Sequence, residues 1–258
     1  MSNFTGRRVS LPLSVSQNFL TSAATIRRLL GLTSITPDDR VIEIGPGRGH
    51  ITRELLGVCR RVDAYELDPA LFDKLQSRFT GAGNLHLYNR DFLNVQLPSD
   101  DAYKVFANIP FNLTSEIIRK LTTAVNPPVE AWLVLEKGAA KRFMGLPAET
   151  GASLQIKPFF DLETLYHFQR EDFHPAPSVD AVLLHISRKA ECDVLPTERR
   201  AYADFIARCQ KYGVEAVLSR RQITAALRQA GLPCIPRSAT LLYVQWLCLF
   251  RCWRQCGR

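Results

Sequence analysis

The stretch Val41-Ile42-Glu43-Ile44-Gly45-Pro46-Gly47-Arg48-Gly49 decides the fold. It is an apolar strand that runs into a glycine-rich turn, and the amphipathic segment Ile51–Val58 behind it reads as a helix. Glycine has no Cβ, so such a turn can be tight and its backbone can come close to a ligand. The spacing Gly-x-Gly-x-Gly departs from the Gly-x-Gly-x-x-Gly of pyrophosphate binders and favours a cofactor without a pyrophosphate. A tight strand–helix turn that holds no ligand is the plainer alternative.

Working outward, the same alternation continues. Short apolar runs lie at Val62–Leu67, Leu85–Asn89, Tyr103–Asn108, Ala131–Glu136, Thr164–Gln169 and Ala181–Ile186. Amphipathic stretches at Pro69–Phe79, Ser115–Ala124 and Lys137–Met144 separate the earlier ones. Strand–helix alternation predicts a parallel sheet covered on both faces. The last two runs have only the Pro-rich Phe173–Val179 (FHPAPSV) nearby and no good helix between them, so they are expected to form an antiparallel hairpin at one edge.

Three strand ends carry polar groups. Glu66 ends the second run, 19 residues after Gly47, where a carboxylate can accept both hydroxyls of a ribose. Taken alone this suits NAD, FAD or S-adenosylmethionine. Asp91 ends the third run and can accept a hydrogen bond from an adenine amino group, or simply cap a turn. Asn108-Ile109-Pro110-Phe111 ends the fourth. An adenine N6 amine is a poor nucleophile because its lone pair is delocalised into the ring. Two acceptors aimed at its hydrogens, the Asn108 side-chain oxygen and the Ile109 carbonyl, would draw the nitrogen toward tetrahedral geometry and free that pair. Pro110 stiffens the turn, and Phe111 offers a face for an extruded base. The alternative is a strand end followed by a proline turn.

From about Arg188 the pattern is helical only. Helices are expected from Thr197, with Thr197 as N-cap, over Arg220–Ala230, stopped by Gly231 and Pro233, and from near Ser238. The net charge of +8 lies wholly here: residues 1–186 hold 20 Lys+Arg and 20 Asp+Glu, residues 187–258 hold 13 and five. This predicts a neutral body, 1–187, and a basic helical part, 188–258, that meets phosphate; a solvated basic face is the bland reading. Six of the seven cysteines fall in the tail without metal-ligand spacing, so no metal is expected. Cys248, Cys252 and Cys256 recur every four residues and read as a packing stripe of reduced thiols. Arg7 and Arg8 are followed by no continuous apolar run, so neither a secretory signal nor a membrane span is expected.

With these motifs assembled, the chain resembles the ribosomal RNA adenine N6-methyltransferases, and within them the Erm enzymes. The resemblance covers nearly the whole chain. Ser16-Gln17-Asn18-Phe19-Leu20, Glu43–Gly49, Glu66, Asp91 and Asn108–Phe111 stand in family order, as do Leu135-Glu136-Lys137, Phe173–Val179 and Arg220-Arg221-Gln222. The resemblance implies a Rossmann-like, seven-stranded, mostly parallel sheet with a small helical C-terminal domain. It implies S-adenosylmethionine as cofactor, with Asn18 and Leu20 at the methionine end beside Gln17, and Glu43, Gly45 and Gly47 along the carboxypropyl chain. Glu66 with Leu67 would hold the ribose, Asp91 with Phe92 the adenine. Phe173 would close on the second face of the target base.

The implied function is methylation of an adenine in 23S ribosomal RNA, before ribosome assembly is complete, with macrolide–lincosamide–streptogramin B resistance as its consequence. The implied protein is a cytoplasmic monomer, and Arg7, Arg8, Arg220 and Arg221 are candidate RNA contacts. Three alternatives compete. The 16S dimethyltransferases of ribosome maturation typically have Leu and Tyr where this chain has Ile109 and Phe111, and a longer C-terminal domain. DNA N6-adenine methyltransferases usually carry Asp in place of Asn108 and a separate base-reading domain. A non-catalytic RNA-binding factor on this fold would have no need of the intact set Glu66, Asp91, Asn108 and Phe111.

Overall fold

Alternation along the strands splits the core in two, and this split builds the layers. The computed structural model describes residues 18–233 and 240–256. Its first half runs β1 (Phe19–Leu20), α1 (Ala23–Leu30), β2 (Arg40–Ile44), α2 (His50–Leu56), β3 (Arg61–Glu66), α3 (Pro69–Arg78), β4 (Leu85–Asn89), β5 (Lys104–Asn108) and α4 (Thr114–Thr123). It continues through β6 (Glu130–Glu136), α5 (Lys137–Met144), α6 (Gly151–Ile156), β7 (Phe160–His167), β8 (Phe173–His174) and β9 (Ala181–Arg188) to the helices α7 (Arg199–Tyr212), α8 (Val214–Val217), α9 (Arg220–Gln229) and α10 (Tyr243–Cys256). Successive side chains of a strand point to opposite faces. Ile42, Ile44, Val105, Ala107, Leu133 and Leu135 therefore join one core under α4, α5 and α6. Val41, Phe106, Trp132 and Val134 join a second core under α1 and α2. A sheet buried on both faces needs near-continuous apolar strands, which is what the central runs supply.

The seven-stranded sheet has the order β4-β3-β2-β5-β6-β9-β7. All neighbours are parallel except where β9 meets β6 and β7. The expected hairpin is thus present, with β9 inserted between β6 and β7 as the one reversed strand. The helical C-terminal part packs into the first core through Tyr202, Phe205, Ile206, Leu227 and Phe250, so that core is continuous from sheet to tail.

Several expectations need correction. The edge strand begins at Phe160, not Thr164. It alternates buried and exposed residues, with Asp161 and Glu163 toward solvent, so it lacks the apolar run that marks a central strand. Helices α1, α6 and α8 were not anticipated; α6 has only six residues and is fixed by a Thr150–Ser153 capping box. Thr197 is not an N-cap: it lies within a 3-10 turn, Pro196–Glu198, that leads straight into α7, and Glu198 precedes the helix without a side-chain cap. Pro196 sets the backbone angle of that turn one residue early. The second tail helix ends at Gln229 and is followed by Gly231 at φ 67°, close to expectation. The last helix is described from Tyr243, and Ser238 lies outside the described residues.

Candidate active site

The carboxyl ends of β2, β3, β4 and β5 meet in one narrow cleft. Its walls include Asn18, Phe19, Gly45, Gly47, Glu66, Leu67, Asp91, Phe92, Asn108, Ile109, Pro110 and Phe111. The strand order puts the chain-reversal point between β2 and β5, and open α/β sheets bind ligands at that crevice. Gly45 (φ 65°) and Gly47 (φ 57°) both have left-handed backbones. A Cβ on Gly47 would strike the Phe19 ring at 2.5 Å, whereas one on Gly45 would meet nothing within 4 Å and would project into open space. Gly47 is thus needed for packing, and Gly45 keeps a cradle clear.

Glu66 is 3% exposed. Its Oε2 accepts the Gly47 N–H at 2.9 Å and its Oε1 accepts the Asp68 N–H at 2.9 Å. Two backbone donors fix the carboxylate and leave each oxygen a further lone pair for a ligand hydroxyl. Asp91 caps a turn and also faces the cleft. Its Oδ1 caps the 3-10 turn by accepting the Leu93 N–H at 2.9 Å, its Oδ2 accepts from the Asn94 amide at 3.0 Å, and the side chain lines the cleft.

Asn108 has the most telling geometry. Its Nδ2 donates to the Asn18 carbonyl at 2.6 Å. An amide nitrogen facing a carbonyl turns the amide oxygen the other way, and among the described residues Oδ1 accepts no hydrogen bond. The Asn18 carbonyl is itself held next to β1, whose Phe19 and Leu20 pair with His174 and Phe173 of β8. Ile109 is buried and its N–H is spent on the Val134 carbonyl. Pro110 opens the turn Phe111–Leu113, which the Thr114 hydroxyl closes by donating to the Phe111 carbonyl at 2.9 Å. Phe111 is half-buried at the cleft.

Other expected residues fall elsewhere. Phe173 is 4% exposed, packs on Phe168 with ring centroids 5.1 Å apart, and does not line the cleft. Its pairing with Leu20 holds it in the second core. Leu20 is buried with it and also stands behind the wall. Glu43 lies behind the glycine turn, 1% exposed, and neither carboxylate oxygen has a hydrogen bond of full geometry although Thr52 sits beside it. Burial, partly countered by Thr52 and reinforced by the Glu66 charge, pushes the Glu43 carboxyl up to about 8. Gln17, Arg7 and Arg8 lie outside the described residues. Arg220 pairs with Glu215 at 3.0 Å and Arg221 is exposed, both in the first turn of α9, far in sequence from the cleft. Gln222 of the same motif is a capping residue, bonded reciprocally to Ser219.

The structure adds residues that the sequence did not flag. Tyr65 lines the cleft and stacks on Tyr88 at 4.9 Å. Lys120 reaches from α4 to the Leu93 and Val95 carbonyls and pins the Asp91–Val95 turn; burial lowers its pKa. A lysine on an amphipathic helix carries no local signal of such a contact. A larger cavity, about 690 Å³, lies not here but between α4–α6 and α7. Arg119, Arg142, Arg199 and Arg200 line it, with Glu116 as its acid.

A family model for ribosomal RNA adenine dimethylases matches residues 11–210. The chain belongs to that family. The rRNA adenine N-6-methyltransferase of Lysinibacillus sphaericus is 32% identical over 217 residues, 84% of this chain and 87% of its own length. That of Limosilactobacillus reuteri is 30% identical over 94% of this chain and 97% of its own. The crystal structure of the 23S rRNA methyltransferase ErmE superposes with a TM-score of 0.81 at 29% identity, covering 92% of this chain and all of that one. A dimethyladenosine transferase from Plasmodium falciparum shares the fold, with a TM-score of 0.72 at 19% identity. The seven-stranded sheet and the helical C-terminal part are thus those of the rRNA adenine methyltransferases. Among the described residues no group of three or more His, Cys, Asp or Glu is placed to hold a metal, and no helix is long and apolar enough to cross a membrane. The six described cysteines are free thiols; Cys248 and Cys252 lean on α9, whereas Cys256, the third of the expected packing stripe, is exposed.

Proposed function

We propose that this enzyme transfers a methyl group from S-adenosylmethionine to the N6 amine of an adenine in 23S ribosomal RNA, and so confers macrolide–lincosamide–streptogramin B resistance. The observation that carries the reading is the Asn108 amide, turned by the Asn18 carbonyl so that its oxygen is free at the cleft beside Phe111. The cleft suits the cofactor: the cradle at Gly45 is clear, and the Glu66 carboxylate is held by two N–H groups with acceptor capacity left over. When bound, S-adenosylmethionine supplies an electrophilic methyl group. The protein does the rest. Glu66 accepts from the ribose hydroxyls, and Asp91 from the adenine amine of the cofactor. Asn108 Oδ1 and the Ile109 carbonyl accept the two N6 hydrogens of the target base, an interaction that strengthens as the nitrogen becomes tetrahedral. Phe111 stacks on the extruded base and returns roughly 1–3 kcal/mol of the cost of leaving its helix.

Residues 1–187 form the catalytic part in this reading and 188–258 serve RNA binding. Two observations support the second assignment. Arg220 and Arg221 sit in the first turn of a helix, where the dipole disfavours cations, and the cavity between the parts is lined by four arginines. Phe173 would reach the base only by leaving its packing on Phe168.

The test is transfer of labelled methyl from S-adenosylmethionine to 23S and 16S RNA, with macrolide susceptibility of expressing cells read in parallel. Label on an N6-adenine of 23S RNA and lowered susceptibility are expected. Label confined to 16S RNA with unchanged susceptibility would assign the chain to ribosome maturation instead.

A further inference from the structure

A second basic site lies on the other side of the glycine turn. A groove of about 320 Å³ runs between that turn and α3, lined by Gly47, Arg48, Leu71, Lys74, Leu75 and Arg78. Leu71 and Leu75 make its floor. Its charged residues are all cations and all exposed, and among the described residues none of the three is in an ion pair. Neither of the nearby acids lines the groove: Asp68 Oδ1 accepts the Ala70 and Leu71 N–H groups as the cap of α3, and Asp73 is absent from the groove wall.

Two of the three cations are also held in place. Arg78 Nη1 donates to the Arg48 carbonyl at 2.5 Å, and the Arg48 guanidinium lies 5.0 Å over the Phe19 ring. Lys74 and Arg78 are four residues apart and share one face of α3. The field extends beyond the groove: burial, with the Arg53 and Arg48 charges, holds His50 below the usual histidine range. Three like charges around one concave surface repel one another, and an anion relieves that repulsion. Gly47 lines both this groove and the cleft, so the two adjoin at the glycine turn. The groove shares no residue with the arginine-lined cavity beside α7.

We propose that this groove is a phosphate track that holds the sugar–phosphate backbone of the RNA substrate beside the adenine that enters the cleft. The proposal rests on the RNA methyl-transfer reading above. The contact is to phosphate alone and carries no sequence information.

The test measures binding of a 23S RNA hairpin, and of a scrambled hairpin, against salt for the full chain. The variants are Lys74→Ala/Arg78→Ala, Lys74→Glu alone and the charge-keeping Lys74→Arg/Arg78→Lys. Losing two phosphate contacts should flatten the log K versus log salt slope by about 1.4–1.8 and weaken binding on the order of tenfold at 0.1 M salt. Both hairpins should lose equally, the charge-keeping variant should bind as wild type, and S-adenosylmethionine affinity should not change. Lys74 makes no bond to the glycine turn, so Lys74→Glu gives the same direction without the Arg78–Arg48 contact at stake. Unchanged slope and affinity in both charge-removing variants overturn the proposal. So does weaker cofactor binding at unchanged slope, which would make Arg78 a support for the turn. Wild-type protein that binds and methylates no RNA would bring down the parent reading, and is seen in the control before any variant is compared.

Discussion

The two ends of the sheet hold polar groups in opposite ways. At the amino ends of the strands, charges neutralise one another. Asp63, fully buried, takes Arg40 at 2.6 Å and Arg61 at 2.8 Å. Lys104 takes Asp39 at 2.9 Å, while the His185 ring, stacked on Trp132, hydrogen-bonds Glu130 and Glu163 at 3.0 and 3.1 Å. At the carboxyl ends, the polar groups are held by backbone and by neutral amides instead. Glu66 has two N–H donors, Asp91 an N–H and an amide, Asn108 a carbonyl. A charge matched by a charge is finished; a charge oriented by backbone still has capacity to bind. The first end should therefore govern stability and the second function, and substitutions at each can separate the two.

The largest effect is expected at Asn108. Asn108→Ala removes one preorganised acceptor and should cut the single-turnover methylation rate on the order of a hundredfold or more. Asn108→Asp should be damaged too, because it sets a carboxylate oxygen against the Asn18 carbonyl. A fast Asn108→Ala enzyme would break the carboxyl-end half of the comparison. Next comes Asp63→Ala at the other end. It leaves the partly exposed Arg61 without its acid and Arg40 with Asp101 at 3.6 Å, and should lower unfolding stability by about 2 kcal/mol in urea titrations. Cofactor affinity of the folded fraction should hold; a large fall in it would blur the division.

Glu66→Ala is expected to raise the cofactor Kd about tenfold or more, by loss of charge-assisted hydrogen bonds. Calorimetric titration of the folded protein reads this directly. Glu43, buried behind the glycine turn, has no ion pair and feels the Glu66 charge of the carboxyl end. Its folded value of about 8 stands above its ordinary 4.5. Between those values the unfolded chain has released the proton and the folded chain still holds it. Stability should therefore fall as pH rises through that window, at most about 1.4 kcal/mol per pH unit, and level off above it. Glu43→Gln should flatten urea midpoints measured at pH 6, 7 and 8.

What the sequence revealed follows the same physics. Glu66, Asp91 and Asn108 were legible because each closes an apolar run, and the end of a run is local information. The positions of Gly45 and Gly47 were legible for the same reason. The burial of Phe173 was not, since it depends on the β1–β8 pairing with Leu20, 153 positions away. Lys120 and the arginine-lined cavity come from helices meeting at long range, and nothing in an amphipathic pattern says which partner it will meet. The late start assigned to β7 has a local cause: an edge strand shows solvent half of its residues.

Methylation of a 23S RNA adenine by the carboxyl-end cleft can be read by mass mapping of modified adenines in ribosomal RNA, from cells that express the wild-type chain or its Asn108→Ala variant. A new N6-methylated adenine in 23S RNA is expected with the wild-type chain, and its loss with the variant at equal protein level. New methyl groups on 16S RNA only, or the same 23S modification with both proteins, would contradict it.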